Sequence, residues 1–347
     1  MKKMFQSLLA PSLLVLSGAL STTCLAKDLE DTVVVYSTHG EAMLEMVADA
    51  YQKETGVNVD FINLKGALAD RIRAEKTNPQ SDVMYGAPSS VFLEMKAEGL
   101  FDAFTPTWAD KIEPLFKDRD AYWYGTIQTP VMMFYNTEML SEAEAPKDWY
   151  ELAEPKFKGN LVFRNALSSS ARATYSSLLQ QFEKKGALED GWKFMKDLDA
   201  NTKNYYGSGS MMFQAVGRKE AAVSFMVLNA IIDNKIKNKM PLAVIDAASG
   251  SPVITDGIAL IHGAKHPNAA KAFIEFAGSA KVQALLAQKF NRLPTHPDAL
   301  ADSPEWMAQT RFKVMDVDWQ GLAAKQSAWM QRWDSEVKSM SKDQKKK

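Results

Sequence analysis

Three strand-like runs separated by amphipathic helices follow one another between residues 32 and 98, and their alternation restricts the fold more than any other feature. Thr32–Ser37 (TVVVYS) is continuous and β-branched, the pattern of a strand buried on both faces of a parallel sheet. Glu41–Glu54 then sets Leu44, Val47, Ala48 and Tyr51 on one helical face, and Gly56 supplies the stop. Val57–Asn63 predicts the next strand, Gly66–Lys76 the next helix and Ser81–Tyr85 a third strand. Ser89 is placed to cap a helix over Val91–Glu98, which Gly99 ends. Parallel strands need crossovers that cover both sheet faces, so this βαβαβ order dictates an α/β lobe.

A second alternating region lies further on. After the strand-rich stretch Trp123–Asn136 (WYGTIQTPVMMFYN) come strand Leu161–Phe163, helices Ala171–Lys184, Glu189–Leu198 and Met211–Gly217, and strand Ala221–Met226. Pro252–Ile261 (PVITDGIALI) is another long strand, and helix Pro267–Ala277 follows it. The two strand-rich stretches are the candidates for a hinge. On that reading residues 27–127 with 253–300 form one lobe, and 128–252 with 301–347 the other. A chain of 347 residues suits two domains of about 100–200 residues each.

Ahead of the first strand, Lys2 and Lys3 precede an apolar run from Leu8 to Leu20, then Ser21-Thr22-Thr23-Cys24-Leu25-Ala26. These are the charged, apolar and small-residue segments of a secretory signal over residues 1–26, too short to span a membrane. Lipid anchoring at Cys24 would need Gly or Ala directly before it, and Thr23 stands there. The expected product is a soluble exported protein. Without its one cysteine it has no disulfide framework and no multi-cysteine metal site. Lys and Arg number 41 against 42 Asp and Glu, so no polyanion-binding surface is expected and nucleic acid is not a partner.

Three turns put Ser, Thr or Gly where a strand gives way to a helix: Ser37-Thr38-His39-Gly40, Ser168-Ser169-Ser170 and Gly207-Ser208-Gly209-Ser210. A helix N-terminus presents unsatisfied N–H donors and about half a positive charge. Neighbouring hydroxyls add donors suited to phosphate or carboxylate. Taken singly, each turn is accounted for as an N-cap. Together they point to an anion site beyond the carboxyl ends of the strands, where ligands of α/β sheets gather. Ala87 and Ser89 end the third strand, beside the same expected cleft. Tyr206 is placed either to pack on a ligand or to fill core, and Asn229 either to bond a ligand or to cap a helix. Asp256, in the second hinge stretch, either contacts ligand or makes a hinge bond. Arg164 and Arg172 flank the triple serine.

The sequence offers no persuasive catalyst. His39, His262, His266 and His296 lack metal-ligand spacing, no G-x-S-x-G occurs, and GSGS at 207–210 lacks the G-x-G-x-x-G spacing of a dinucleotide site. The chain reads as a binding protein, not an enzyme, and calls for no cofactor.

Four stretches, VVVYSTHGE at 33–41, AEKTNPQSDVMYGAPSS at 74–90, ALSSSARAT at 166–174 and SPVITDGIALIHGAKHPNAAKAF at 251–273, carry a family resemblance. The chain resembles the periplasmic solute-binding proteins of ABC importers, in the ferric-iron-binding-like branch of the type II fold. The resemblance implies two α/β lobes, each a mixed sheet flanked by helices, and a two-strand hinge. It also implies a ligand held in the cleft by a monomer and delivered to an inner-membrane permease. Ferric-binding members hold the metal with an adjacent Tyr pair just after the strand matching Ala221–Ser224. Here Ser224-Phe225-Met226 stands in that place, and the chain's own pair, Tyr205-Tyr206, lies before GSGS. For iron, the candidates are therefore His39, Tyr205 and Tyr206. Members more similar at the anion-binding turns bind hexose phosphates or phosphonates such as 2-aminoethylphosphonate. That implies a phosphoryl group held by Ser37–His39, Ser168–Ser170 and Ser208–Ser210. The expected function is capture of an anionic, phosphorylated small solute. Ferric iron binding is the alternative within the family. A secreted phosphate-ester hydrolase is the alternative of another class, and would need clustered Asp, Glu and His ligands.

Overall fold

The expected alternation is what the chain builds. A computed structural model describes residues 29–339 and 342–344, so the expected signal segment lies outside the described residues. The chain opens with β1 (Thr32–Ser37), α1 (Glu41–Thr55), β2 (Asn58–Asn63), α2 (Leu68–Ala74), β3 (Val83–Pro88), α3 (Ser89–Ala97) and β4 (Phe101–Asp102). β5 (Tyr124–Asn136) is one continuous strand of 13 residues. Then come β6 (Leu161–Arg164), α4 (Ser169–Glu183), α5 (Leu188–Asn201), β7 (Thr202–Tyr206) and α6 (Gly209–Gly217). β8 (Val223–Val227), α7 (Leu228–Ile236) and β9 (Leu242–Ile245) follow. The chain returns through β10 (Val253–Ile261), α8 (Pro267–Ala277), α9 (Ala280–Phe290) and β11 (Leu293–Pro294). It closes with α10 (Glu305–Gln309), α11 (Trp319–Arg332) and β12 (Asp343–Gln344).

The strands order as β12-β7-β6-β8-β5-β10-β3-β1-β2. β1 runs parallel to β2 and β3, while β10 returns antiparallel to β3. β6 runs parallel to β7 and β8. β5 joins the two groups: Tyr124–Pro130 pairs with β10, and Val131–Asn136 pairs with β8 and β9. The resulting architecture is that of a two-lobe periplasmic binding protein of type II, with mixed sheets covered by helices.

Strand alternation sends successive side chains to opposite helix layers. Val33, Val35, Val83 and Tyr85 pack with Val47 of α1 and Phe273 of α8, whereas Tyr36 and Met84 pack with Phe92 of α3. In the other group, Met133, Phe163 and Phe225 face Leu178 of α4 and Trp333, while Phe134 and Val162 face Phe213 of α6 and Ile231 of α7. Each sheet thus has apolar layers on both faces, which fixes its strand ends at a common edge.

Some local expectations shift. Ser89 is the first residue of α3, not its cap; Pro88 occupies the N-cap position and no side-chain bond caps the helix. The expected helix Gly66–Lys76 divides into a 3-10 turn over Lys65–Ala67 and α2, and Lys65 sits at φ 50°. α4 and α6 begin two residues earlier than their apolar periodicity suggests, at Ser169 and Gly209.

Candidate functional site

Three adjacent parallel strands, β7, β6 and β8, each hand over to a helix at their carboxyl ends: α6, α4 and α7. β1 and β3 do the same with α1 and α3. Such edges are where ligands bind in α/β sheets. The two edges face one another. Pro88, Ser89, Ser90 and Val91 at the start of α3 line a cavity of about 230 Å³ together with Leu167, Ser169, Arg172 and Ala173 at the start of α4. Ile254 of β10 and Trp319 and Gln326 of α11 complete its lining.

On the β6–β8 side, the Ser168–Ser170 and Ser208–Ser210 turns both lie against Met226. Ser168 Oγ and Ser170 Oγ lie 3.0 Å apart, and Ser170 Oγ donates to Met226 Sδ at 3.8 Å. Ser208 caps α6, its Oγ accepting from Met211 N at 3.5 Å. A methyl group added at Gly209 would stand 3.4 Å from Arg164 Nη1 and 3.5 Å from Met226 Cε, so this guanidinium sits against the start of α6. Arg164 donates to the carbonyls of Tyr206 (3.2 Å) and Gly207 (3.0 Å). Burial pulls its pKa down, and among the described residues it has no acidic partner.

That lack of a partner is selective. Arg71, Arg73, Arg119, Arg218 and Arg332 each pair with a carboxylate. Arg164, Arg172 and Arg292 do not, and each lies beside the strand ends that form the cleft. Exposed Arg311, the remaining arginine, bonds only backbone carbonyls. A guanidinium drawn out of water costs free energy unless an anion faces it.

On the β1–β3 side, Ser37 Oγ donates to Tyr85 O at 2.5 Å and accepts from His39 N at 3.0 Å, which fixes the turn into α1. His39 is 4% exposed, sits edge-on to Tyr85 at 4.7 Å between ring centroids, and leaves Nε2 without a partner. Burial first, then the charge of Arg292, pushes its pKa down to about 3, so the imidazole is neutral. Gly86 and Ala87 both take left-handed backbone, φ 98° and 81°. For Ala87 that conformation is strained, a feature that clusters at ligand sites. Gly40, at the N-cap position of α1, brings no side chain to the turn, and Thr38 stays partly exposed beside it.

At the crossing strands, Asp256 pairs with Ile127 of β5 and Pro88 of β3, at a bulge in β10. Thr129 Oγ1 donates to its Oδ2 at 3.3 Å. Burial raises the Asp256 pKa, and Arg292 opposes the rise. Asn229, near the start of α7, lines a small recess with Gln128 and Arg292.

Of the expected residues, Ser89 and Ser169 line the shared cavity, Ser37 to Gly40 and Ala87 stand at the adjoining ends of β1 and β3, and Gly209 and Ser210 line a separate recess with Phe213, Met226 and Asn234. Asp256 and Asn229 stand near the crossing strands. Tyr206 is not among them. Its ring is buried in the α6–α7 layer, and its hydroxyl donates to Glu220 Oε2 at 3.1 Å. Tyr205 points to the opposite layer, edge-on to Trp333, with its hydroxyl donating to Asp199 Oδ1 at 3.0 Å. With the two rings in opposite layers and both hydroxyls engaged by carboxylates, His39, Tyr205 and Tyr206 are not assembled into an iron site. Among the described residues, no group of three or more His, Cys, Asp or Glu is arranged to hold a metal ion. Sequence reasoning missed Arg292, Thr129 and Met226. Gln128 and Thr129 stand within the β-branched hinge pattern, but nothing local marks Arg292.

The family described as bacterial extracellular solute-binding protein matches residues 78–322. A probable ABC transporter periplasmic-binding protein of Sinorhizobium fredii is 30% identical over 322 residues, covering 89% of this chain and 87% of the relative. A putative 2-aminoethylphosphonate-binding periplasmic protein of Salmonella typhimurium is 25% identical over 324 residues, covering 89% and 94%. The apo ferric ion-binding protein A of Pasteurella haemolytica shares the fold, with a TM-score of 0.79 at 19% identity over 90% of this chain and all of that one. Facing strand ends and matches running along most of the chain agree, and the chain belongs to the bacterial extracellular solute-binding proteins.

Proposed function

We propose that this solute-binding protein is the periplasmic component of an ABC importer, that it captures an anionic small solute carrying a phosphate or phosphonate, and that it passes the solute to an inner-membrane permease. Capture is by closure of two lobes, residues 27–127 with 253–300 and residues 128–252 with 301–347, about β5 and β10, with no covalent chemistry. The protein acts as a monomer, and the signal segment 1–26 directs it to the periplasm.

One observation carries the reading. Arg164 is partly buried, lacks an acidic partner among the described residues, and rests against the start of α6 beside the Ser168–Ser170 turn. Helix N-termini already favour negative charge, so a cation added there is unfavourable until an anion arrives. An oxyanion with several acceptors meets converging N–H, O–H and guanidinium donors. The Salmonella relative's printed ligand, a phosphonate, supports the same chemistry, and the Sinorhizobium relative's name supports the importer.

Calorimetric titration tests this. The protein is unfolded to release bound solute, refolded, and titrated with hexose phosphates and alkyl phosphonates. At least one binds saturably at one site, and Arg164→Gln weakens it by roughly tenfold or more while the fold is kept. Undiminished affinity in that variant removes Arg164 from the site.

A further inference from the structure

The anion accounts for one end of a bound solute, and a different pair of groups waits for the other end. Asp256 leaves Oδ1 without a hydrogen-bond partner among the described residues, since Thr129 engages only Oδ2. Arg292 stands close by in register. β11 pairs Leu293 with Gln128 and Pro294 with Ile127, which places Arg292 at the level of Thr129 itself. It shares its recess with Gln128 and Asn229, has no acidic partner among the described residues, and its charge acts on both Asp256 and His39.

Resting on the reading just given, we infer that Arg292 is a specificity determinant: seated beside the Thr129–Asp256 pair, it offsets the Asp256 carboxylate and makes the cleft prefer solutes with neutral hydroxyl groups over solutes with an ammonium. A lone buried carboxylate attracts an ammonium strongly. With the Arg292 guanidinium, just ahead of β11, acting on that carboxylate, the same ammonium meets a like charge where effective dielectric is low. A hydroxyl pays no such penalty. It donates to Asp256 Oδ1 and accepts from Arg292 or Asn229, so both members of the pair are satisfied at once. The preferred solute is then a hydroxylated phosphate or phosphonate, not an aminophosphonate.

A matched pair of probes isolates this end: 2-hydroxyethylphosphonate and 2-aminoethylphosphonate differ only in hydroxyl against ammonium. Titrated into the full protein, the hydroxyl compound is expected to bind roughly tenfold more tightly. Arg292→Gln should reverse or erase that ratio, chiefly by improving the amino compound, while Arg292→Lys keeps it. Asp256→Asn, with Arg292 intact, should widen the preference and serves as an independent check if Arg292→Gln does not fold. A wild-type preference for the amino compound, or a ratio indifferent to both Arg292→Gln and Asp256→Asn, overturns the inference. If neither probe nor any phosphorylated compound binds the wild type, the anion reading itself has failed and this inference falls with it.

Discussion

Gly86 lies directly beneath the imidazole of His39: a methyl group at its Cα would stand 3.0 Å from both Cδ2 and Nε2 of the ring and 2.7 Å from Thr38 Oγ1. Its φ of 98° is also one that side chains disfavour. The β1–α1 and β3–α3 turns can therefore approach only because this residue has no side chain. Gly86→Ala is predicted to lower stability by about 2 kcal/mol and the melting temperature by a few degrees. Thermal unfolding checks it; an unchanged midpoint would show that the two turns are not wedged together.

His39 gives the protein an acid sensitivity whose sign is fixed by its neutral burial. The folded-state pKa, about 3, lies below the unfolded value of 6.5. Its contribution is fully present above the unfolded value and is lost as pH falls from there toward 3. Between pH 7 and pH 5 the wild type should lose about 2 kcal/mol more than His39→Gln, read from urea unfolding at the two values. Equal losses in the two proteins would mean the imidazole is not buried neutral.

Asp256 is predicted to cost stability while serving the ligand. Its folded pKa is raised by burial, so the ionised carboxylate weakens the ligand-free fold at neutral pH. Asp256→Asn should raise the ligand-free melting temperature and reduce the further rise on adding a hydroxylated phosphonate. A lower ligand-free midpoint would instead mark the Thr129–Asp256 bond as a structural tie.

The same geometry speaks to iron. Tyr205 and Tyr206 have hydroxyls engaged by Asp199 and Glu220 on opposite layers of β7. Ferric citrate should produce no visible tyrosinate band, and Tyr206→Phe should leave solute affinity within about twofold, as expected for a residue outside the site. A purple protein would contradict both placements.

Much of this was legible in the sequence because it is local. Runs such as TVVVYS and the helix over Pro267–Ala277 carry their own periodicity, and the latter forms with the expected bounds. The serine turns were legible for the same reason: strand, hydroxyls and helix are consecutive. The pairing of Tyr205 with Tyr206 misled, although strand alternation alone would have sent them to opposite faces. Arg164 was legible only by its place beside the triple serine, and Arg292 not at all, for a different reason. Whether an arginine has an acidic partner is a tertiary property, and these two are 128 positions apart. Left-handed backbone at Ala87 is likewise invisible, since alanine gives no local sign of it.

Calorimetric titration of refolded, solute-free protein with hexose phosphates, alkyl phosphonates and ferric citrate in parallel tests the central claim most directly. The account predicts one-site, saturable binding of at least one phosphate or phosphonate and its loss in Arg164→Gln. Binding of ferric iron with no response to any phosphorylated compound would contradict it.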